Sequence, residues 1–217
     1  MGTKILLVDD HQMMRDGLRV LLEKHTGLTV VGGAENGRQA LELTKRLSPD
    51  VVVMDIGLPG LNGIETTRQI LAGHPGVKVI ALSMHSDKRY VIQMLKAGAS
   101  GYLLKNCASD ELVRAIHAVL ADQRFLSQGI AQTLVDHVVR DSGGSAGTAF
   151  TDLTAREREV LQLLAEGMTS KQIAREISVA VKTVETYRRD IMRKLDLHNV
   201  AELTRYAIRE GLTTLDR

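Results

Sequence analysis

Val51-Val52-Val53-Met54-Asp55 runs directly into Ile56-Gly57-Leu58-Pro59-Gly60-Leu61-Asn62-Gly63. An apolar run closes on one carboxylate, and a loop bearing glycine and proline follows. A short unbroken apolar run bounded by turn residues reads as a strand buried on both faces, and so as part of a parallel sheet. Asp55 then stands at the C-terminal end of that strand. In open α/β sheets, ligands and chemistry gather at that edge. Taken alone, such an Asp is also an ordinary cap for the next helix. The neighbouring segments decide between the two.

Lys4-Ile5-Leu6-Leu7-Val8 repeats the pattern and ends in Asp9 and Asp10. Leu28 to Val31 is strand-like. Val77 to Leu82 is another strand, closed by Ser83, and Gly101 to Leu104 is a short one closed by Lys105. Helical periodicity fills the gaps. Met14, Leu18, Leu21 and Leu22 mark the first helix. Ala40, Leu43 and Leu47 mark the second, opened by Asn36-Gly37 and ended by Ser48-Pro49. Further helices run from near Ile64 to Gly73 and from about Ser86 to Ala97. The last carries Leu112, Ile116, Val119 and Leu120. Strict β-α alternation predicts an α/β doubly wound parallel five-stranded sheet over residues 1–122.

Such a sheet brings its C-terminal strand ends to one edge. Asp9, Asp10, Asp55, Ser83 and Lys105 therefore meet there. Crowded carboxylates repel, and a divalent cation relieves the repulsion. An oxygen-only ligand set suits Mg²⁺, which keeps several waters and favours carboxylates plus a phosphate. A carboxylate can also act as a nucleophile and form an aspartyl phosphate. Lys105 and the Ser83 hydroxyl would then hold the phosphoryl oxygens, since phosphoryl transfer asks mainly for positioning and charge neutralisation. Around this edge, His11 reads as a helix-start residue rather than a metal ligand, and Met13 and Met14 as packing residues. His85 and Gly57 would flank a phosphoryl group, although His85 also reads as a surface histidine. Cys107 is either a redox-sensitive thiol or a small core residue.

The bulk composition fits this reading. The chain is 44% hydrophobic and 25% charged, as soluble globular proteins are. A net charge of +2 does not by itself suggest nucleic acid, so any basic face must be local. The single cysteine excludes an internal disulfide and fits a reducing compartment. No apolar run approaches membrane-spanning length, and the start of the chain is unlike a signal peptide. A cytoplasmic protein with no membrane partner is expected.

Residues 123–150 read as a linker. Ala131, Leu134, Val135 and Val138 predict a helix over 128–140, and the Gly- and Ser-rich stretch 141–149 reads as a tether. From 151 to 217 only helical patterns remain. Thr154 and Glu157 spell a capping box, Leu153 is placed to staple, and Gly167 ends the first helix. Thr169 caps a short helix through Ile177. A turn at Ser178-Val179-Ala180 leads into a helix from about Val181 to Leu195, and a fourth runs from Val200 to Arg209. A short helix, a tight turn and a longer helix make a helix-turn-helix. Val184, Ile191 and Leu195 form the buried stripe of the third helix. Thr183, Glu185, Thr186 and Arg189 then point outward, among Lys182, Arg188, Arg193 and Lys194. Short polar side chains can read base edges while basic ones hold phosphates.

Two resemblances sharpen these readings. Val8-Asp9-Asp10, Met54-Asp55-Ile56-Gly57-Leu58-Pro59, Leu82-Ser83, Gly98-Ala99-Ser100-Gly101-Tyr102 and Lys105 resemble the receiver domains of response regulators, which share the flavodoxin- and CheY-like fold. The resemblance covers about residues 3–122. It implies that Asp55 accepts phosphate from a sensor histidine kinase and that Asp9, Asp10, Asp55 and the Gly57 carbonyl bind Mg²⁺. It implies also that Ser83 and Tyr102 form a switch pair, the hydroxyl turning to the phosphoryl group and the ring swinging inward. Asn106 departs from the proline that many receivers carry after the lysine.

Residues 151–215 resemble the LuxR-type helix-turn-helix through Leu153-Thr154, Arg156-Glu157, Glu159-Val160-Leu161, Gly167-Met168-Thr169-Ser170-Lys171, Ile173-Ala174, Lys182-Thr183-Val184-Glu185 and Lys194-Leu195. By this resemblance Glu185, Thr186 and Arg189 approach bases, while Lys171, Lys182, Thr183 and Arg188 contact phosphates. The last helix forms a dimer contact, so a homodimer would read double-stranded promoter half-sites about 10 base pairs apart. Ala180 and Tyr187 replace the Ser and His common in the family. The whole chain is similar to NarL/FixJ-family transcriptional regulators. Such a protein is no enzyme beyond phosphorylating and dephosphorylating its own aspartate. Two alternatives remain: a phosphatase with an aspartyl nucleophile, against which stands Gly57 in place of a second acid, and a phosphate-independent DNA-binding or interaction module.

Overall fold

The computed structural model describes residues 2–84, 87–106, 109–132 and 153–213. The chain divides into two compact units, residues 1–142 and 143–217. The first unit alternates strand and helix: β1 (Thr3–Val8), α1 (Gln12–Glu23), β2 (Leu28–Ala34), α2 (Gly37–Leu47), β3 (Val51–Asp55), α3 (Gly63–Gly73), β4 (Lys78–Ser83), α4 (Lys88–Lys96), β5 (Gly101–Leu104), α5 (Ser109–Leu120) and β6 (Phe125–Leu126). A helical run over 128–132, α6, follows. The strands pair in parallel in the order β2-β1-β3-β4-β5-β6.

Strand alternation sorts the core into two layers. Leu6, Val8, Val52, Met54, Val79, Ala81 and Tyr102 face one side, against Ala40 and Leu43 of α2, Ile64 and Ile70 of α3, and Tyr90, Val91 and Met94 of α4. Ile5, Leu7, Val51, Val53, Ile80, Leu82 and Leu103 face the other, against Leu22 of α1 and Leu112, Ala115, Ile116 and Val119 of α5. This is the doubly wound sheet the strand patterns predict. It has six strands rather than five. β6 is only two residues long, too short to carry an alternating pattern. β2 also runs beyond Val31 to Ala34, because Gly32-Gly33 imitates a turn. A Cβ on Gly32 would come within 2.8 Å of Leu47 Cδ1, so close helix packing explains that glycine. Leu120 is exposed rather than part of the α5 stripe, and Met13 is 87% exposed rather than packed. α4 begins at Lys88, capped by Asp87, which accepts from the Arg89 amide. The predicted 128–140 helix is helical over 128–132; its remainder, the 141–149 tether, His85 and Cys107 lie outside the described residues.

The second unit contains α7 (Ala155–Ala165), α8 (Ser170–Glu176), α9 (Val181–Leu195) and α10 (Val200–Arg209). Thr154 with Glu157, and Thr169 with Gln172, form complete capping boxes. Gly167, at φ +85°, takes the left-handed conformation that ends α7. Leu153, Val160, Ile173, Val184, Ile191 and Leu203 share its core.

The loop behind β3 is the tightest joint of the first unit. The Gly63 amide donates to the Ile56 carbonyl at 2.9 Å, and Asn62 caps α3 by accepting from Glu65 N. A Cβ on Gly63 would fall 2.0 Å from the Asp55 carbonyl oxygen and 2.8 Å from Ile56 Cα. Backbone on both sides leaves nothing flexible to yield. Gly63→Ala is therefore expected to lower the unfolding free energy of the first unit by about 3 kcal/mol or more, read from urea denaturation. A change under about 1 kcal/mol would disprove this packing account.

Candidate functional site

The sheet edge delivers its side chains to one cluster. Asp9 follows β1 and is 2% exposed; Asp55 ends β3 and is 7% exposed. Lys105, just past β5, reaches between them, with Nζ 2.6 Å from Asp9 Oδ2 and 2.8 Å from Asp55 Oδ2. Carboxylates 50 and 96 residues before Lys105 in sequence thus share its one ammonium group. The Gly57 amide donates to Asp55 Oδ1 at 3.2 Å.

Burial and charge compete here. Burial pushes the Asp55 carboxyl up; Lys105 opposes this without cancelling it, and the neighbouring Asp9 charge adds to the rise. Burial alone would depress the Lys105 ammonium, yet the two carboxylates outweigh it and its pKa is raised. Lys105 therefore stays charged. Two carboxylates share one cation, and Asp10 adds a third acidic group at the rim. Such a donor set fits a further divalent cation.

Ser83 and Tyr102, 1% and 0% exposed, lie beside this cluster on neighbouring strands. Their hydroxyls are hydrogen-bonded. The Lys105 amide donates to the Ser83 carbonyl at 2.8 Å, which ties the cluster to β4. The ring is already inward, so no swing from solvent is needed to place it there. Asn106 follows Lys105 without a cis peptide bond.

His11 holds the N-cap position of α1, as expected, but its side chain makes no cap. Its Nδ1 instead faces both carboxylates, 3.0 Å from Asp10 Oδ1 and 3.3 Å from Asp9 Oδ1. Arg15 Nη1 donates to the Asp9 carbonyl at 2.6 Å. The sequence reading missed both contacts. The only available signal was their place directly after the acidic pair, within one helical turn.

In the second unit Val184, Ile191 and Leu195 are buried, as the α9 stripe predicts. Lys171, Lys182, Glu185 and Arg189 are exposed, and Thr183, Thr186 and Arg188 are half-buried. The Thr186 hydroxyl donates to the Lys182 carbonyl at 3.0 Å. Ala180 is the α9 N-cap and supplies no side-chain bond. Several motif residues prove to be scaffold. Lys194 Nζ reaches Glu157 Oε2 at 2.7 Å, and Arg156 links Glu159 at 2.5 Å to the Ile177 carbonyl at 3.3 Å. Burial pushes the Glu157 carboxyl up, but hydrogen bonds from Lys194 and Thr154 outweigh it and hold it below the usual glutamate value.

Residues 5–117 match the response regulator receiver domain, and residues 151–207 match the bacterial regulatory proteins of the luxR family. The response regulator GacA of Pseudomonas protegens is 38% identical over 209 residues, covering 96% of this chain and 97% of that protein. The response regulator UvrY of Escherichia coli K12 is 36% identical over 208 residues, covering 96% and 94%. The chain is a two-component response regulator of the NarL/FixJ family. Its first unit is thus a receiver and its second a LuxR-type DNA-binding domain. RcsB from Salmonella enterica serovar Typhimurium, solved bound to the promoter P1flhDC in the presence of the phosphomimetic BeF₃⁻, superimposes with a TM-score of 0.63 at 25% identity, covering 98% of this regulator and 100% of that chain. Among the described residues, no helix of the regulator is long and apolar enough to cross a membrane.

Burial pushes the Tyr102 phenol well above its usual range, and the hydrogen bond with Ser83 opposes this without cancelling it. The unfolded phenol ionises near pH 10. Stability held by the neutral phenol is therefore complete below about pH 10 and is lost as pH climbs from there towards the folded value. In an alkaline titration followed by tyrosinate absorbance, Tyr102 is expected to ionise only with unfolding. Tyr102→Phe should shrink that late phase by one phenol; an unchanged late phase would refute the assignment.

Proposed function

We propose that Asp55 is the phosphoacceptor and that its phosphorylation controls DNA binding by the second unit. One observation carries this reading: a single buried ammonium, Lys105, bridges Asp9 and Asp55 at 2.6 and 2.8 Å. The cation that neutralises the carboxylate before transfer is then in place to neutralise phosphoryl oxygens after it. An Asp55 oxygen attacks the phosphorus of a kinase phosphohistidine; the P–O bond forms as the P–N bond breaks, and the imidazole leaves. Asp9, Asp10, Asp55 and the Gly57 carbonyl would hold Mg²⁺, which supplies charge neutralisation when bound. Lys105 must then exchange its Asp55 contact for the phosphoryl group. Ser83 must choose between Tyr102 and a phosphoryl oxygen. Either exchange alters packing around Tyr102 and biases a population of receiver surfaces.

The output follows from α9. Glu185, Thr186 and Arg189 read base edges, while Lys171, Lys182, Thr183 and Arg188 hold phosphates. The promoter-bound state of RcsB supports DNA as the partner, and a homodimer on two half-sites would be the bound form. The regulator works in the cytoplasm, and it turns over no substrate besides its own aspartyl phosphate.

Intact mass after incubation with Mg²⁺ and a small phosphodonor tests the acceptor. Wild type should gain one phosphoryl group and Asp55→Asn none. A gain in both variants would move the acceptor elsewhere, and a gain in neither would favour the phosphate-independent module. For DNA, Arg188→Ala should weaken binding evenly across sequences and reduce the slope of log affinity against log salt by about 1. A slope identical to wild type would remove Arg188 from the phosphate contacts.

A further inference from the structure

His11 is the one nitrogen ligand set against the acidic pair among the described residues. One ligand atom each from Asp9, Asp10 and His11 lies within 4.8 Å of the others. The two imidazole contacts, 3.0 and 3.3 Å, match the spacing of adjacent ligands on an octahedral cation, about 3.0 Å when bonds are about 2.1 Å. An imidazole–carboxylate hydrogen bond gives the same distances. Distance therefore does not separate the two, and the surroundings must.

Those surroundings fix the carboxylate rather than the ring. Lys105 takes Asp9 Oδ2, which leaves Oδ1 turned to His11, and the His11 amide holds Oδ1 at 2.9 Å. Arg15 clamps the Asp9 carbonyl at 2.6 Å. Asp9 is thus held at three separate atoms, Oδ2 by Lys105, Oδ1 by the His11 amide and the backbone carbonyl by Arg15. The imidazole is free of capping duty and its side chain is 73% exposed, so it can adjust around an ion without unpacking anything. As a ligand, Nδ1 carries the lone pair and the ring proton sits on Nε2, facing water.

We propose that His11 is a metal ligand through Nδ1, turning an oxygen-only site into a mixed nitrogen–oxygen one. The proposal rests on the reading of Asp9 and Asp10 as the receiver's cation site. Its consequence is selectivity. Imidazole adds little for Mg²⁺, a hard ion that favours oxygen, and much for later first-row divalent ions, which rank above Mn²⁺ in affinity for such sites. The regulator would then discriminate among divalent cations at its phosphorylation site.

The test uses the full chain. Calorimetric titration with Mg²⁺ and with Co²⁺ compares wild type, His11→Gln and Asp9→Asn. Spin-echo modulation of bound Mn²⁺ reports any directly coordinated ¹⁴N. His11→Gln should weaken Co²⁺ at least about tenfold, change Mg²⁺ by no more than about twofold, and abolish the ¹⁴N signal. Glutamine removes no cap, and the variant keeps the backbone bond to Asp9. Wild type without ¹⁴N coupling, a ¹⁴N signal that survives His11→Gln, or equal losses for both ions would each overturn the proposal while leaving the cation site intact. Wild type that binds no divalent ion, or Asp9→Asn that binds Mg²⁺ as wild type does, would overturn the cation site itself and the proposal with it.

Discussion

Everything at the sheet edge depends on one buried ammonium shared by two carboxylates. Without Lys105, Asp9 and Asp55 would lose their shared buried counter-charge, and removing one partner from a buried ion pair costs about 3–5 kcal/mol. The three groups come from the ends of β1, β3 and β5. Parallel order makes this possible. It places every C-terminal strand end on the same side, and the central position of β3 between β1 and β4 puts Asp55 in the middle of the row. The glycine at position 63 then lets α3 start directly against the Asp55 backbone.

The second unit solves a different problem with similar economy. A recognition helix must present polar and basic side chains to a partner while something else holds it still. Val184, Ile191 and Leu195 anchor α9 from below, and the Glu157–Lys194 pair clamps its far end to the capping box of α7. The conspicuous charges of the motif thus divide: Arg156, Glu157, Glu159 and Lys194 brace the unit, while Lys182, Glu185 and Arg189 stay exposed on α9. The near end of α9 is less well braced, since Ala180 offers no cap; alanine there costs about 1 kcal/mol of helix stability against serine.

Much of this was legible in the sequence, for definite reasons. Val51 to Met54 are buried on both faces and must be apolar throughout, so the strand and its terminal Asp55 stood out. Thr154 and Glu157 announced their helix start because reciprocal capping needs that spacing. What stayed hidden depended on proximity in space or on lengths too short to show a period. β6 spans two residues. Gly32-Gly33 imitates a turn because a glycine required for helix packing and a glycine required for chain reversal are the same letter. His11 looked like an ordinary helix-start residue, and only three-dimensional placement turns its ring towards Asp9 and Asp10. Leu120 fitted a helical stripe on paper but is the last residue of α5 and is exposed.

The alternation of the strands has a consequence for how information leaves the edge. Ser83 follows Leu82, which faces the α1 and α5 layer, so Ser83 itself belongs to the opposite face. Tyr102 lies on that same face, among Tyr90, Val91 and Met94 of α4. The sheet therefore separates the surroundings of that hydroxyl pair from the α1–α5 layer. The Ser83–Tyr102 pair borders the α2–α3–α4 layer, while His11 and Arg15 tie the acidic pair to the start of α1. The two ends of the acidic cluster thus open onto different layers of one small domain, the hydroxyl pair onto one and the acidic pair onto the other.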